Sequence, residues 1–248
     1  FSPFNPTSAY STSVIGGSAY FDGSGDYLSV ADAAPMELGS GNWTIEFWVN
    51  TTNSTAYSAV WTRDDGSTTA GSYVIVLNGT TSNGIISFWS ADVNSFSAAV
   101  LAGTTKCNDG AWHHIAIVRN GNTLTLYIDG VSNATASYAG SFANTAQPLK
   151  IGSETGYSRD YTGYISNARL VIGTAVYTSN FTPPTAPLTA ITNTSLLCNM
   201  TNGAIYDSSM MNDLETVGNA QISTSVKKFG TGSMYFDGAG DYLTSGGG

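Results

Sequence analysis

The stretch 109–130, DGAWHHIAIVRNGNTLTLYIDG, narrows the folds open to this chain more than any other. In its first half, alternate positions 113, 115 and 117 are His, Ile and Ile. In its second half, Leu124, Leu126 and Ile128 alternate with Thr123, Thr125 and Tyr127. A period of two belongs to a half-buried β-strand. Asn120-Gly121 between the halves favours a hairpin, because both residues tolerate the positive φ of a primed turn. Asp129-Gly130 then turns the chain again. Further strands are expected at about 17–22, 26–31, 43–50, 57–62, 71–77, 84–90, 95–101, 131–137, 148–152 and 161–172, many separated by Asp-Gly or Asn-Gly. A short turn of helix is expected over 175–180. Many short strands with Gly-rich turns predict an all-β sandwich or jelly roll.

Composition bounds the partners. Of 248 residues, 42% are hydrophobic, enough for a large core, and 10% are charged, well below the usual quarter or so. A surface of Ser, Thr, Asn and Gly fits an extracellular or virion protein. Net charge is −9 with eight scattered Lys and Arg, a balance that phosphate backbones repel, so nucleic acid is not an expected partner. No apolar run reaches the roughly 18 residues of a membrane span, so membrane insertion is not expected. Cys107 and Cys198 match no metal or redox spacing, which favours buried free thiols and leaves a disulfide open.

The hairpin resembles the centre of laminin-G-like domains in the concanavalin A-like lectin/glucanase superfamily, and three other stretches agree in order. Residues 17–28, GSAYFDGSGDYL, resemble the opening strand pair, and 43–49, WTIEFWV, a central strand. LKIG at 149–152, followed by GYISNARL at 163–170, resembles the closing strands. The shorter YTSNFTPP at 177–184 resembles copies found in large phage and bacterial surface proteins. The resemblance implies a concanavalin A-like jelly-roll sandwich of two antiparallel sheets over 17–181.

Residues 1–16 read as an irregular arm, and 182–194 as a Pro/Thr-rich linker. Residues 233–243 then repeat 18–28 at an offset of 215, differing only at Ala19/Met234 and Ser24/Ala239. Residues 195–248 therefore read as the opening strands of a second repeat. Two explanations compete: an excerpt of a longer tandem protein, or strand exchange in which the tail completes a neighbouring subunit by β-augmentation. Unpaired strand edges are sticky, so some partner for the tail is expected.

Glucanases of this superfamily use closely spaced acids. Here the four glutamates, Glu37, Glu46, Glu154 and Glu215, form no Glu-x-Asp-x-Glu triplet. No catalytic residues are assigned and a non-enzyme is expected. His113 and His114 point to opposite faces of one strand and read as structural. Calcium is the cofactor the resemblance allows, with Asp22, Asp26 and Asn167 as candidate ligands. Asp22 and Asp26 can equally serve as turn formers, and an acidic residue often stands in relatives where this chain has Ser166-Asn167. The resemblance also implies glycan binding through loops. Two loops combine aromatic, acidic and basic groups: one offers Arg63, Asp64 and Asp65, the other Tyr157, Arg159, Asp160 and Tyr161. Ordinary solvated loops with local ion pairs would look the same. Trp43, Trp48, Trp89 and Trp112 read as core. The expectation is a non-catalytic recognition or adhesion module of a repetitive virion-fibre or cell-surface protein. Its partners would be a glycan or host-surface receptor and neighbouring copies or fibre subunits. The alternative is a purely structural fibre subunit or spacer.

Overall fold

The computed structural model describes residues 17–79 and 83–200, with 215–217, 221–223, 233–236, 240 and 242–244 of the tail. The arm expected over 1–16 lies outside the described residues. Two sheets face each other across one core. Sheet A contains β1 (Ala19–Asp22), β3 (Trp43–Asn50), β8 (Trp112–Asn120), β9 (Thr123–Ile128), β10 (Val131–Ser137) and β12 (Thr162–Ile172), in the order β10-β9-β8-β3-β12-β1. Sheet B contains β2 (Tyr27–Val30), β4 (Ser58–Arg63), β5 (Tyr73–Leu77), β6 (Ile85–Ser90), β7 (Leu101–Lys106) and β11 (Leu149–Ile151), in the order β2-β11-β4-β5-β6-β7. These strands pair antiparallel, and the expected jelly-roll sandwich is what forms.

The two-residue period drives the layering. Along β3, Trp43, Ile45, Phe47 and Val49 enter the core, while Thr44, Glu46 and Trp48 face outward. The central hairpin forms one residue later than its sequence implies. Asn120 pairs with Thr123, so the turn is Gly121-Asn122, with glycine at the first, left-handed position. Asp129 (φ 51) and Gly130 (φ 76) make the next turn as expected.

Two local expectations are corrected. Residues 95–101 are not a strand: a short helix, α1 (Ala91–Asn94), ends in left-handed Ser95 and Phe96, and β7 begins at Leu101. Residues 175–180 form no helix. They belong to a strap laid over the outer face of sheet A, where Ala175, Tyr177 and Phe181 cover Ala116, Val118 and Tyr127. The Phe181 N–H donates to the Gly130 carbonyl at 2.9 Å, and a Cβ on Gly130 would run into the Phe181 carbonyl oxygen.

Beneath the strap lies Glu46, fully buried. Its carboxylate accepts from Arg169 Nε at 2.8 Å and Nη2 at 2.5 Å, and from Tyr177 Oη at 2.8 Å; His114 Nε2 is 3.2 Å away. Burial pushes this carboxyl up, but the His114 hydrogen bond and the Arg169 charge outweigh it and hold it below its ordinary range. His113, on the other face, bridges Asp129 at 2.7 Å and Asp109 at 3.1 Å, a structural role for both histidines.

The tail folds back on the sandwich. The segment read as a linker is anchored: the Leu188 N–H donates to Asn167 Oδ1 at 2.7 Å, and Arg169 Nη1 to the Thr189 carbonyl at 2.8 Å. β13 (Thr194–Cys198) pairs antiparallel with β12 of the same chain and places Leu196 and Cys198 in the core. β16 (Ser233–Tyr235) lies parallel beside β1, and β17 (Tyr242–Thr244) beside β2; β15 (Gln221–Ser223) and β14 (Glu215–Val217) flank them. No disulfide joins the two cysteines, both are buried, and burial pushes the Cys107 thiol up to about 12. Among the described residues, no helix is long and apolar enough to cross a membrane.

Candidate functional site

Among the described residues, none seals the outer face of sheet B in this way. Tyr73, Ile75 and Leu77 of β5 point inward, so Val74 and Val76 point outward. With Ala59 they make a small apolar floor, against which Tyr57, Trp89 and Phe96 pack. Two loops close over one end of this floor, and they are the two that the sequence singled out. Thr62 Oγ1 donates to the Ser153 carbonyl at 2.8 Å, and Tyr157 Oη to the Gly66 carbonyl at 3.1 Å. The loops can touch because Gly66 and Gly156 face each other with positive φ; a Cβ on Gly66 would lie 3.1 Å from the Thr155 carbonyl oxygen.

Between floor and loops is a cleft of about 220 Å³, walled by Tyr57, Asp64, Trp89, Phe96, Glu154, Tyr157 and Arg159. The Arg159 guanidinium lies between two rings, 4.5 Å from the Tyr57 centroid and 4.1 Å from that of Tyr157. Its Nη1 donates to both Glu154 oxygens, at 3.1 and 3.0 Å. Burial pushes the Glu154 carboxyl up to about 7; Arg159 opposes the shift and the Asp64 charge adds to it. Asp64 is also raised by burial, against the pull of the Gly66 N–H, which its Oδ1 accepts at 3.0 Å. Its Oδ2 is buried and has no hydrogen-bond partner among the described residues. The site thus offers ring faces, a fixed cation and two carboxyls.

Of the seven loop residues expected to bind ligand, Asp64, Tyr157 and Arg159 converge here. The other four are placed elsewhere. Arg63 is 1% exposed and turned away; it pairs with Asp32 and with Glu37 at 2.5 Å, and donates to the Met36, Thr145 and Gln147 carbonyls. Tyr161 is wholly buried, edge-on to Phe21. Asp160 accepts the Gly25 N–H at 2.9 Å, and Asp65 is held by its own turn through Ser67. Arg63 and Tyr161 are thus corrected from ligand contacts to parts of the scaffold, and Asp65 and Asp160 stand outside the cleft lining. Trp89, expected in the core, is also corrected: it is half-buried on the outer face. Its parity signals this, since Phe88 beside it points inward. Glu154 stood in the second loop, but nothing in sequence set it above its neighbours. Phe96 left no signal, because its left-handed backbone breaks any periodicity.

The candidate calcium ligands do not converge. Asp26 Oδ2 accepts the Asp22 N–H at 3.0 Å, and Asp22 Oδ1 the Ser24 N–H at 2.8 Å, as turn formers do. Asn167 lies about five strand residues away along β1, roughly 17 Å: Asp22 pairs with Thr162, whereas Ser166 bonds the Gly17 carbonyl. Among the described residues, no three His, Cys, Asp or Glu side chains group to hold a metal.

A search of curated proteins finds no match. Among solved structures, a Bacteroides ovatus ATCC 8483 protein, itself only assigned to carbohydrate binding, superposes with a TM-score of 0.59 at 11% identity, covering 94% of this chain. Mouse laminin α1 domains LG4-5 superpose with a TM-score of 0.47 at 17% identity over 66% of the chain. The chain spans 60% and 44% of those two proteins. At such identities the likeness is one of fold. A laminin G family model, described as the concanavalin A-like lectin/glucanases superfamily, matches residues 22–185. The chain therefore belongs to the laminin G family of the concanavalin A-like lectin/glucanases superfamily.

Proposed function

We propose that this chain is a non-catalytic recognition module that binds glycans in the sheet B cleft, as part of a repetitive protein of a virion fibre or bacterial surface. The observation that carries the reading is the meeting of the two loops over an aromatic floor. Tyr57, Tyr157 and Trp89 offer ring faces to the C–H face of a sugar, while Arg159, Glu154 and Asp64 offer donors and acceptors to its hydroxyls. The carbohydrate-binding assignment of the Bacteroides ovatus neighbour is in keeping with this. Retaining hydrolysis needs two carboxyls poised about 5–5.5 Å apart, whereas here Glu154 accepts from Arg159 through both oxygens and Asp64 accepts the Gly66 N–H. The test is an array of immobilised mono- to hexasaccharides. Retention of one glycan class is expected, weakened about tenfold or more by Trp89→Ala or Arg159→Ala, with no sugar released on incubation. An array without a hit sinks the reading.

A second reading, a structural subunit or spacer of a fibre, is favoured by the tail. Ala19 stands opposite Met234 and Tyr27 opposite Tyr242, so the repeated hairpins pair at the offset of the sequence repeat. Phe21 stacks on Phe236 and Tyr27 on Tyr242, each at 5.5 Å. The repeat then acts as a joint between copies. Polymers of the full chain should disappear on removal of 215–248; unchanged sedimentation counts against this reading.

A further inference from the structure

We infer that the cleft is one end of a longer groove, which takes an internal stretch of a linear glycan across Trp89 and binds an uncharged sugar unit on the far side. The inference rests on the glycan reading above and deepens it. The same outer face has a second hollow of about 100 Å³, lined by Gly79, Asn83, Ile85, Ser87, Ala99 and Trp89. Trp89 therefore walls both hollows and forms the ledge between them.

The ledge is fixed. The Trp89 indole N–H donates to Ser87 Oγ at 2.9 Å, and its ring packs 6.2 Å from that of Tyr57. With its donor already engaged, Trp89 offers a ligand ring surface and no hydrogen bond, which suits stacking of a sugar on each flank. The two hollows differ in chemistry. The first holds Arg159, Glu154 and Asp64; among the described residues, the second has the Asn83 amide, the Ser87 hydroxyl and the apolar Ile85, Ala99 and Ala102, with no ionisable group. A unit seated there is uncharged.

Gly79 keeps the second hollow open. A Cβ on it would lie 3.3 Å from Ser87 Oγ and 4.0 Å from the Trp89 ring, in the hollow's floor. Its backbone does not need the left-handed region, so alanine suits the chain there, its methyl entering the hollow at the cost of a small shift of the Ser87 hydroxyl. Ala99, half-buried at the rim, gives an independent way to block the same place.

The experiment is a length series, one to six units, of the glycan class retained on the array, titrated by calorimetry against the full chain. Affinity should rise about tenfold between two and four units. Gly79→Ala, and separately Ala99→Gln, should bring the tetrasaccharide down to the disaccharide affinity and leave the disaccharide unchanged. Affinity that does not change with length, or tetrasaccharide binding unaltered in both blocking variants, overturns the second subsite. The glycan reading then still stands if Arg159→Ala abolishes binding. Failure of every glycan to bind overturns both.

Discussion

On the outer face of sheet A, Glu46 meets Arg169 and Tyr177 beneath the strap; on the outer face of sheet B, Glu154 meets Arg159 beside Tyr157 in an open cleft. The residue types are the same and the electrostatic outcomes are opposite. Glu46 has an arginine, a tyrosine hydroxyl and a histidine around one carboxylate, and sits below its ordinary range despite complete burial. Glu154 has one arginine and a second acid, Asp64, near it, and burial with the Asp64 charge pushes it up to about 7. Coverage and the count of donors per acid, not the identity of the acid, decide which face is locked and which keeps unspent hydrogen-bonding capacity.

The largest test of this contrast removes each arginine. Arg169→Ala takes the guanidinium from a fully buried carboxylate, leaving it the Tyr177 hydroxyl and His114, and should cost about 3–5 kcal/mol. Arg159→Ala, at a side chain 31% exposed, should cost about 1 kcal/mol or less. Urea midpoints at constant m-value measure both, and equal losses would break the distinction between the faces. Next comes the seat of the strap. Gly130→Ala meets both a positive φ and the Phe181 carbonyl, so it should cost more than about 1 kcal/mol. It should also open Tyr177 and Phe181 to chymotrypsin, and a strap that stays protected would mean it is held elsewhere.

The smallest effect is in pH. Glu154 holds its proton longer folded, to about 7, than an unfolded glutamate near 4.3. Its contribution is therefore present below about pH 4.3 and lost as pH rises towards 7. Glu46, lowered by its partners, contributes in the opposite sense: present at neutral pH and lost as pH falls through the carboxylate range. Glu154→Gln should flatten the decline between pH 5 and 7 by on the order of 1 kcal/mol after solvent screening. A pH profile identical to the parent would assign that titration to another group.

The fold was legible because its signals are local. Alternation in β3, β8 and β9 places core residues, and Asp129-Gly130 sets a turn whatever surrounds it. The site was half legible. Charged and aromatic residues marked the two loops, but which of them face the cleft depends on partners distant in sequence. Arg63 is drawn inward by Asp32, Glu37 and three carbonyls, and no pattern around position 63 encodes them. Phe96 reaches the cleft through a left-handed backbone that reads as strand in sequence.

One strand also fixes when the module can exist. β12 hydrogen-bonds β1 and β3 on its two sides and β13 beyond, so the first strands of the sandwich are completed by nearly its last. During synthesis β1 and β3 emerge early and wait, with edges unpaired, until residue 172 has left the ribosome. The β3-β8-β9-β10 part of sheet A can pair before then, and β1 joins it only through this late strand. A high contact order of this kind makes folding slow, and it makes the nascent chain, more than the finished module, the form most exposed to aggregation.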